Sequence, residues 1–119
     1  MAAALSAWCQ AFLLTQLVEM PLYRRLLRCT WAEAFLPSLL SHPLLWFVLW
    51  PVLAGSPSMR TIQAEAIAIM IEAALARGIL HRARRPSRAE LALALTTSVL
   101  ANMSSVAVGQ MTRAWLDWP

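Results

Sequence analysis

Charged residues are scarce in this sequence. They make up 13% of its 119 residues, whereas a soluble domain usually carries about 25%. Lysine is absent altogether, so that all ten basic residues are arginine. Hydrophobic residues account for 60% of the chain. The missing charge and the apolar excess together indicate a protein whose solvent is the lipid bilayer rather than water.

Cysteine is also rare, and neither cysteine fits a disulfide or a metal site. Cys9 and Cys29 differ by ~20 Å in their predicted depth in the bilayer, whereas a disulfide needs Cα atoms within about 7 Å of each other. No CxxC pair and no cluster of histidine and cysteine occurs in the sequence. We therefore expect free thiols, no metal and no cofactor.

Four apolar stretches follow one another along the chain, over residues 2–23, 29–54, 61–80 and 89–111. Each is long enough for one membrane crossing, which predicts a single all-α domain of four transmembrane helices. Pro37, Pro43 and Pro51 predict that the second helix is kinked or divided into two half-helices. The third stretch contains Glu65 and Glu72 and is the least apolar, so a re-entrant third helix stays an alternative.

The arginines indicate which way the helices run. Eight of the ten form two clusters, Arg24, Arg25, Arg28 and Arg77, Arg82, Arg84, Arg85, Arg88. Arginine-rich loops stay in the cytoplasm, so both chain ends are expected outside, in the inner membrane of a bacterium. We interpret both clusters as topology determinants that contact lipid headgroups. No recognition-helix or aromatic-platform pattern indicates nucleic acid.

Aromatic residues agree with this topology, because tryptophan and tyrosine favour membrane interfaces. The four-helix arrangement puts Tyr23 and Trp31 at the inner interface. It puts a second group at the outer interface: Trp46, Trp50, Trp115 and Trp118.

Six polar residues fall inside the predicted helices, where lipid makes them costly: Glu19, His42, Glu65, Glu72, Ser98 and Asn102. At ~1.5 Å per residue, His42, Glu65 and Asn102 share roughly one depth. Glu65 and Glu72 are seven residues apart and therefore lie on one face of the third helix. The group predicts either a site for an ion or proton or a set of hydrogen bonds that pack helices together.

The order of these polar residues along the chain resembles that of a known group of proteins. The chain contains, in order, Glu19-x-Pro21, His42-Pro43 with Trp46, Glu65 and Glu72, and Asn102-x-x-Ser105 with Gly109. This order resembles a group of short multi-pass bacterial membrane proteins of unestablished activity, and the resemblance covers most of the chain. It implies that the polar positions belong to one recurring design, and it implies no reaction.

Two functions fit the sequence. The first is a structural or accessory subunit of a larger membrane complex, because the loops are short and the third helix needs neighbours. The alternative is a homo-oligomeric transporter or channel, coupled to a cation or to protons through the intramembrane Glu, His and Asn residues. We do not expect an enzyme, since no nucleophile–base pair or metal-ligand set is present. The expected partners are the bilayer and either other membrane subunits or further copies of this chain.

Overall fold

The chain folds into four helices joined by short connections. A computed structural model describes residues 2–82 and 88–116. The helices are α1 (Ala2–Leu27), α2 (Trp31–Pro43), α3 (Pro57–Arg82) and α4 (Arg88–Leu116), and α2 continues as a π-helical segment, Leu44–Leu49. Neither of the two described ranges contains a strand. The prediction of an all-α protein with four helices is therefore confirmed.

Local chemistry sets where the helices begin and end. Arg24 and Arg25 lie in the last turn of α1, where cations interact favourably with the free carbonyl groups, and the helix continues past its predicted end. Thr30 caps α2 with a capping box. The Thr30 N–H donates to Glu33 Oε2 at 2.9 Å, and the Glu33 N–H donates to Thr30 Oγ1 at 3.3 Å. Pro57 starts α3, as proline often does in a first helical turn.

The prolines of the second apolar stretch change the type of helix. The six residues that follow Pro43, Leu44–Leu49, are π-helical. The N–H of Trp50 donates to the carbonyl of Leu45 at 2.8 Å. Proline lacks an N–H and disturbs the α-helical bonding around it, and a wider π-helical turn absorbs such a disturbance without ending the helix. The expected irregularity is therefore a local widening of the helix.

The four helices form a ring in which each packs against its neighbours in the sequence and α4 closes on α1. Contacts between α1 and α3 across the ring are much fewer. Alanine supplies much of the interior: Ala34, Ala64, Ala68, Ala73, Ala76, Ala94 and Ala101 are buried. Small side chains let helix backbones approach closely, which leaves room for interhelical hydrogen bonds.

The exterior is apolar. Leu17 is 75% exposed, Met70 65% and Trp115 82%, whereas Glu19 and Glu72 are at most 2% exposed. Two described segments, Trp31–Leu49 and Arg88–Trp115, are long and apolar enough to cross a membrane. Only 22% and 28% of their apolar windows are buried within the protein, whereas the core helix of a soluble protein is mostly buried. These two segments support an association with a membrane.

Candidate functional site

Glu72 lies at the centre of a buried hydrogen-bond network that joins all four helices. Its carboxylate accepts from the Tyr23 hydroxyl of α1 at 2.8 Å and from the Ser41 hydroxyl of α2 at 2.5 Å. It also accepts from Asn102 Nδ2 of α4 at 2.5 Å. The Tyr23 hydroxyl lies 3.1 Å from Ser98 Oγ, which brings a second α4 side chain into the network.

Glu19 forms a second, similar centre on α1. Its carboxylate accepts from the hydroxyl of Ser38 on α2, and from the hydroxyl of Ser105 on α4 at 2.7 Å. Glu19 and Ser38 are at most 1% exposed. Both carboxylates thus accept hydrogen bonds from neighbouring helices, and every donor is a neutral hydroxyl or amide group.

Helix periodicity explains why these side chains meet. Glu19 and Tyr23 are four residues apart on α1, and Ser98, Asn102 and Ser105 follow at three- and four-residue spacing on α4. Residues at such spacings share one helix face, and these faces point into the ring. Asn102 also donates to the carbonyl of Ser98 in its own helix at 2.9 Å, which fixes the direction of its amide.

An open cavity of about 520 Å³ leads to this network. Glu19, Ser41, Glu72 and Asn102 line its inner end. Trp50, Thr61 and Arg113 line it near the helix ends on either side of the connection between α2 and α3 and at the end of α4. Asn102 and Arg113 are separated by ~16 Å along α4. The volume is within the ~300–1,000 Å³ typical of small-ligand pockets.

Glu65 and His42 line the same cavity but lie outside the hydrogen-bond network. His42 packs among aromatic rings: its ring centroid lies 5.5 Å from that of Phe12 and 6.1 Å from that of Trp46. His42 Nδ1 is buried without a hydrogen-bond partner among the described residues.

The structure thus brings four of the six predicted residues, Glu19, Glu72, Ser98 and Asn102, into hydrogen-bonded centres. His42 and Glu65 lie on the cavity wall instead. The role of all six in binding or packing stays a prediction.

Sequence reasoning missed four members of the network: Tyr23, Ser38, Ser41 and Ser105 as hydrogen-bond donors to the acids. The side chain of Tyr23 is 0% exposed and therefore faces the bundle interior, and its predicted level at the inner interface stays a prediction. The only signal that favours an interior position is its four-residue spacing from Glu19. Ser38 and Ser41 gave no signal, since short hydroxyl side chains are common in membrane helices as packing residues.

The predicted arginine sites have different surroundings. Arg24, Arg25 and Arg28 are exposed around the end of α1. Arg82 and Arg88 are exposed at the ends of α3 and α4. Arg84 and Arg85 lie outside the described residues, as does Trp118. Among the outer tryptophans, Trp50 packs under the guanidinium of Arg60, whose Cζ lies 4.6 Å from the ring centroid.

The groups in this cavity that could bind a cation are carboxylate, hydroxyl and amide oxygens. Within residues 2–82 and 88–116, no group of three or more His, Cys, Asp or Glu side chains is arranged to hold a metal ion. Cys9 and Cys29 are free thiols. Carboxylates supported by hydroxyl and amide groups can exchange protons or hold a small cation.

Comparisons with protein-family models, with curated proteins and with solved structures found no match to this chain. The resemblance to short multi-pass bacterial membrane proteins therefore stays a prediction.

Proposed function

We propose that this chain is a four-span inner-membrane protein that binds a small cation or protons at Glu72 and Glu19 and carries that charge across the membrane, as a homo-oligomer. The observation that carries the proposal is the position of Glu72. Its buried carboxylate lies at the inner end of an open cavity and is hydrogen-bonded only by neutral groups.

The distribution of polar and apolar side chains supports the membrane part of the proposal. Acids, hydroxyls and an amide lie inside the ring while leucine, methionine and tryptophan cover its outside. The protein measures 43 Å along its longest axis, and a bilayer with its headgroups is ~40–45 Å thick. A continuous α3 of 26 residues reaches ~39 Å, which favours a full crossing over a re-entrant segment.

Charge balance supports the binding of a cation. A carboxylate in a low-dielectric interior is costly unless an opposite charge or a proton compensates it. Neutral donors satisfy the lone pairs of Glu72 and Glu19 but supply no positive charge. A bound cation or a pair of protons removes this imbalance. Arg113 is ~16 Å further along α4 than Asn102, too far away to pair with Glu72.

The path through the bundle supports transport rather than storage. The cavity reaches Glu72 from the helix ends that we propose lie on the outer side. On the other side of Glu72, the ring is filled by Tyr23, Ala76 and Leu80, all of them buried. A site that is open to one side and closed to the other is the geometry that alternating access requires.

Flux across liposome membranes tests the proposal. Purified protein is reconstituted with a pH-sensitive dye inside, and proton movement is followed under an imposed potassium or sodium gradient. We expect flux above that of empty liposomes, and its loss in Glu72→Gln. Glu33→Gln is the matched control, because a glutamine at this position keeps the capping box. Equal flux in Glu72→Gln and the unchanged protein contradicts the proposal.

A second candidate function is that of an accessory subunit in a larger membrane complex. The observation that favours it is that α1 and α3 are not among the candidate membrane spans. Such helices insert more readily when other helices cover them. Purification from native membranes in mild detergent, followed by mass spectrometry, tests this function. Stoichiometric partners support the subunit, whereas a lone chain or a homo-oligomer supports transport.

A further inference from the structure

Three arginines meet at the turn between α1 and α2, around a second cavity. This cavity has a volume of about 490 Å³ and is lined by Pro21, Arg24, Arg25, Arg28, Cys29 and Trp31. All three arginines are exposed, and no acidic side chain from residues 2–82 or 88–116 lines the cavity. Positive charge is therefore concentrated here. This arginine pocket lies apart from the carboxylate cavity and does not depend on the function proposed above.

A short connection builds the arginine pocket. α1 ends at Leu27, and Thr30 already caps α2. The thiol of Cys29 donates to the carbonyl of Tyr23 at 3.6 Å, which ties the connection to the last turn of α1. Residues from the end of α1, from the connection and from the first turn of α2 therefore surround one space.

Arg28 adopts a backbone conformation that favours glycine. Its φ is +53°, and it is the only residue other than glycine with a positive φ in the described ranges. Position C′ of a helix is usually glycine or asparagine, because a Cβ is unfavourable in this region. Residues held in such conformations concentrate at binding sites, where another interaction compensates the strain. Arg28 therefore occupies a backbone conformation that a glycine would adopt with less strain, and it adds a guanidinium to the pocket.

Trp31 holds one of the guanidinium groups. Arg24 Cζ lies 4.4 Å from the centroid of the Trp31 ring, a cation–π contact that holds the guanidinium over the ring. A guanidinium carries five N–H donors, so that a contact with one ring leaves donors free to bind a ligand. The pocket thus holds one positioned guanidinium beside two others.

We propose that the arginine pocket binds a phosphate group. Guanidinium groups match phosphate oxygens with paired, charge-assisted hydrogen bonds, and three of them supply enough charge for a phosphate monoester. The ligand is either the headgroup of an anionic lipid or a soluble phosphate. The expected position of this turn at the cytoplasmic surface would bring it to the level of lipid phosphates.

Thermal unfolding of the full chain in detergent tests the pocket. The midpoint is measured against rising concentrations of three probes: dihexanoyl phosphatidic acid, dihexanoyl phosphatidylcholine and inorganic phosphate. We expect the midpoint to rise with phosphatidic acid, since a ligand that binds only the folded state stabilises it. Arg24→Gln and Arg28→Gly should each weaken this binding roughly tenfold, as expected for one lost charge-assisted contact.

Arg28→Gly separates binding from folding. Glycine relieves the positive φ, so that the midpoint without ligand should rise while the affinity for phosphatidic acid falls. Arg77→Gln is the matched control, because Arg77 is an exposed arginine of α3 outside the pocket, and it should leave the affinity unchanged.

The probes also distinguish the source of the phosphate. A response to phosphatidic acid alone identifies a lipid headgroup, whereas an equal response to inorganic phosphate identifies a soluble ligand. Both results support the pocket. Equal midpoint shifts with phosphatidylcholine, or unchanged affinity for phosphate probes in both Arg24→Gln and Arg28→Gly, would overturn it.

Discussion

Replacing Glu72 with alanine is the change to which the polar network should be most sensitive. The carboxylate accepts hydrogen bonds from Tyr23, Ser41 and Asn102, each on a different helix, at 2.8, 2.5 and 2.5 Å. Alanine removes the common acceptor and leaves three buried donors without it. α3 then loses its hydrogen bonds through Glu72 to α1, α2 and α4.

The magnitude follows from these three bonds. Interhelical hydrogen bonds in membrane proteins average about 0.6 kcal/mol each, so that the three together stabilise the fold by about 2 kcal/mol. Tyr23 keeps its contact with Ser98 Oγ and Asn102 keeps its bond to the Ser98 carbonyl, so that Ser41 is the buried donor left unpaired. One such donor costs about 1–3 kcal/mol, which raises the expected loss to about 3 kcal/mol. Burying a carboxylate is itself unfavourable, so removing it should raise the stability of the fold and offset part of this loss.

Glu65→Ala serves as the matched control for this opposing effect. Glu65 lies on the same face of α3 and lines the same cavity, but it lies outside the network. The difference between the two alanine variants therefore isolates the hydrogen bonds. We expect Glu72→Ala to be less stable than Glu65→Ala by about 2–3 kcal/mol.

Equilibrium unfolding in mixed micelles, with sodium dodecyl sulfate as denaturant and circular dichroism as signal, measures this difference. Glu72→Gln should fall between the unchanged protein and Glu72→Ala, because the glutamine amide keeps an acceptor oxygen and the shape of the side chain. Equal stability of Glu72→Ala and Glu65→Ala would refute the reasoning, since the three bonds would then contribute nothing measurable.

Three further changes test individual contacts. Tyr23→Phe removes a hydroxyl donor to Glu72 and should lower the free energy of unfolding by about 0.5–1.5 kcal/mol; an unchanged unfolding curve would count against this bond. Thr30→Ala removes the capping box with Glu33 and should cost about 1 kcal/mol, measured as a lower thermal midpoint. Gly55→Ala puts a Cβ on a residue with φ +107° and should cost about 1–3 kcal/mol. A midpoint equal to that of the unchanged protein would argue against a strained turn.

Helix periodicity allowed part of the site to be predicted. The seven-residue spacing of Glu65 and Glu72 put both on one face, and both line the cavity. The spacing of Ser98 and Asn102 did the same on α4. Regular helices preserve such relations because the rise and rotation per residue are nearly constant. The network thus depends on a pattern that a sequence displays directly.

Partnership between helices was harder to predict. Depth along the bilayer grouped Asn102 with His42 and Glu65, whereas Asn102 donates to Glu72 instead. Rise per residue gives a depth only for a straight, upright helix, and neither tilt nor rotation can be read from one sequence. The π-helical segment after Pro43 changes the register of the residues that follow it. Whether the Asn102 amide contacts Glu65 or Glu72 therefore depends on how the helices pack.

Tyr23 illustrates a different limit. Its position beside the arginines at the end of α1 indicated an interface residue, as is common for tyrosine. The ring is instead buried and its hydroxyl reaches Glu72. Buried tyrosine usually needs a partner for its hydroxyl, and only the three-dimensional arrangement supplies one. Residue type alone does not distinguish an interface anchor from a hydrogen-bond donor in the core.

The central claim is that the open cavity reaches Glu72 from the proposed outer side of a membrane-embedded bundle, and labelling of two cysteine variants tests it most directly. Val106 lines the cavity and is partly buried, whereas Met103 is 47% exposed on the outside of the same helix. Each is changed to cysteine in a chain with Cys9→Ala and Cys29→Ala, and a membrane-impermeant cationic thiol reagent is added outside intact cells. We predict labelling of Val106→Cys but not of Met103→Cys, the reverse of their order of exposure. Labelling of Met103→Cys with Val106→Cys protected would contradict the claim.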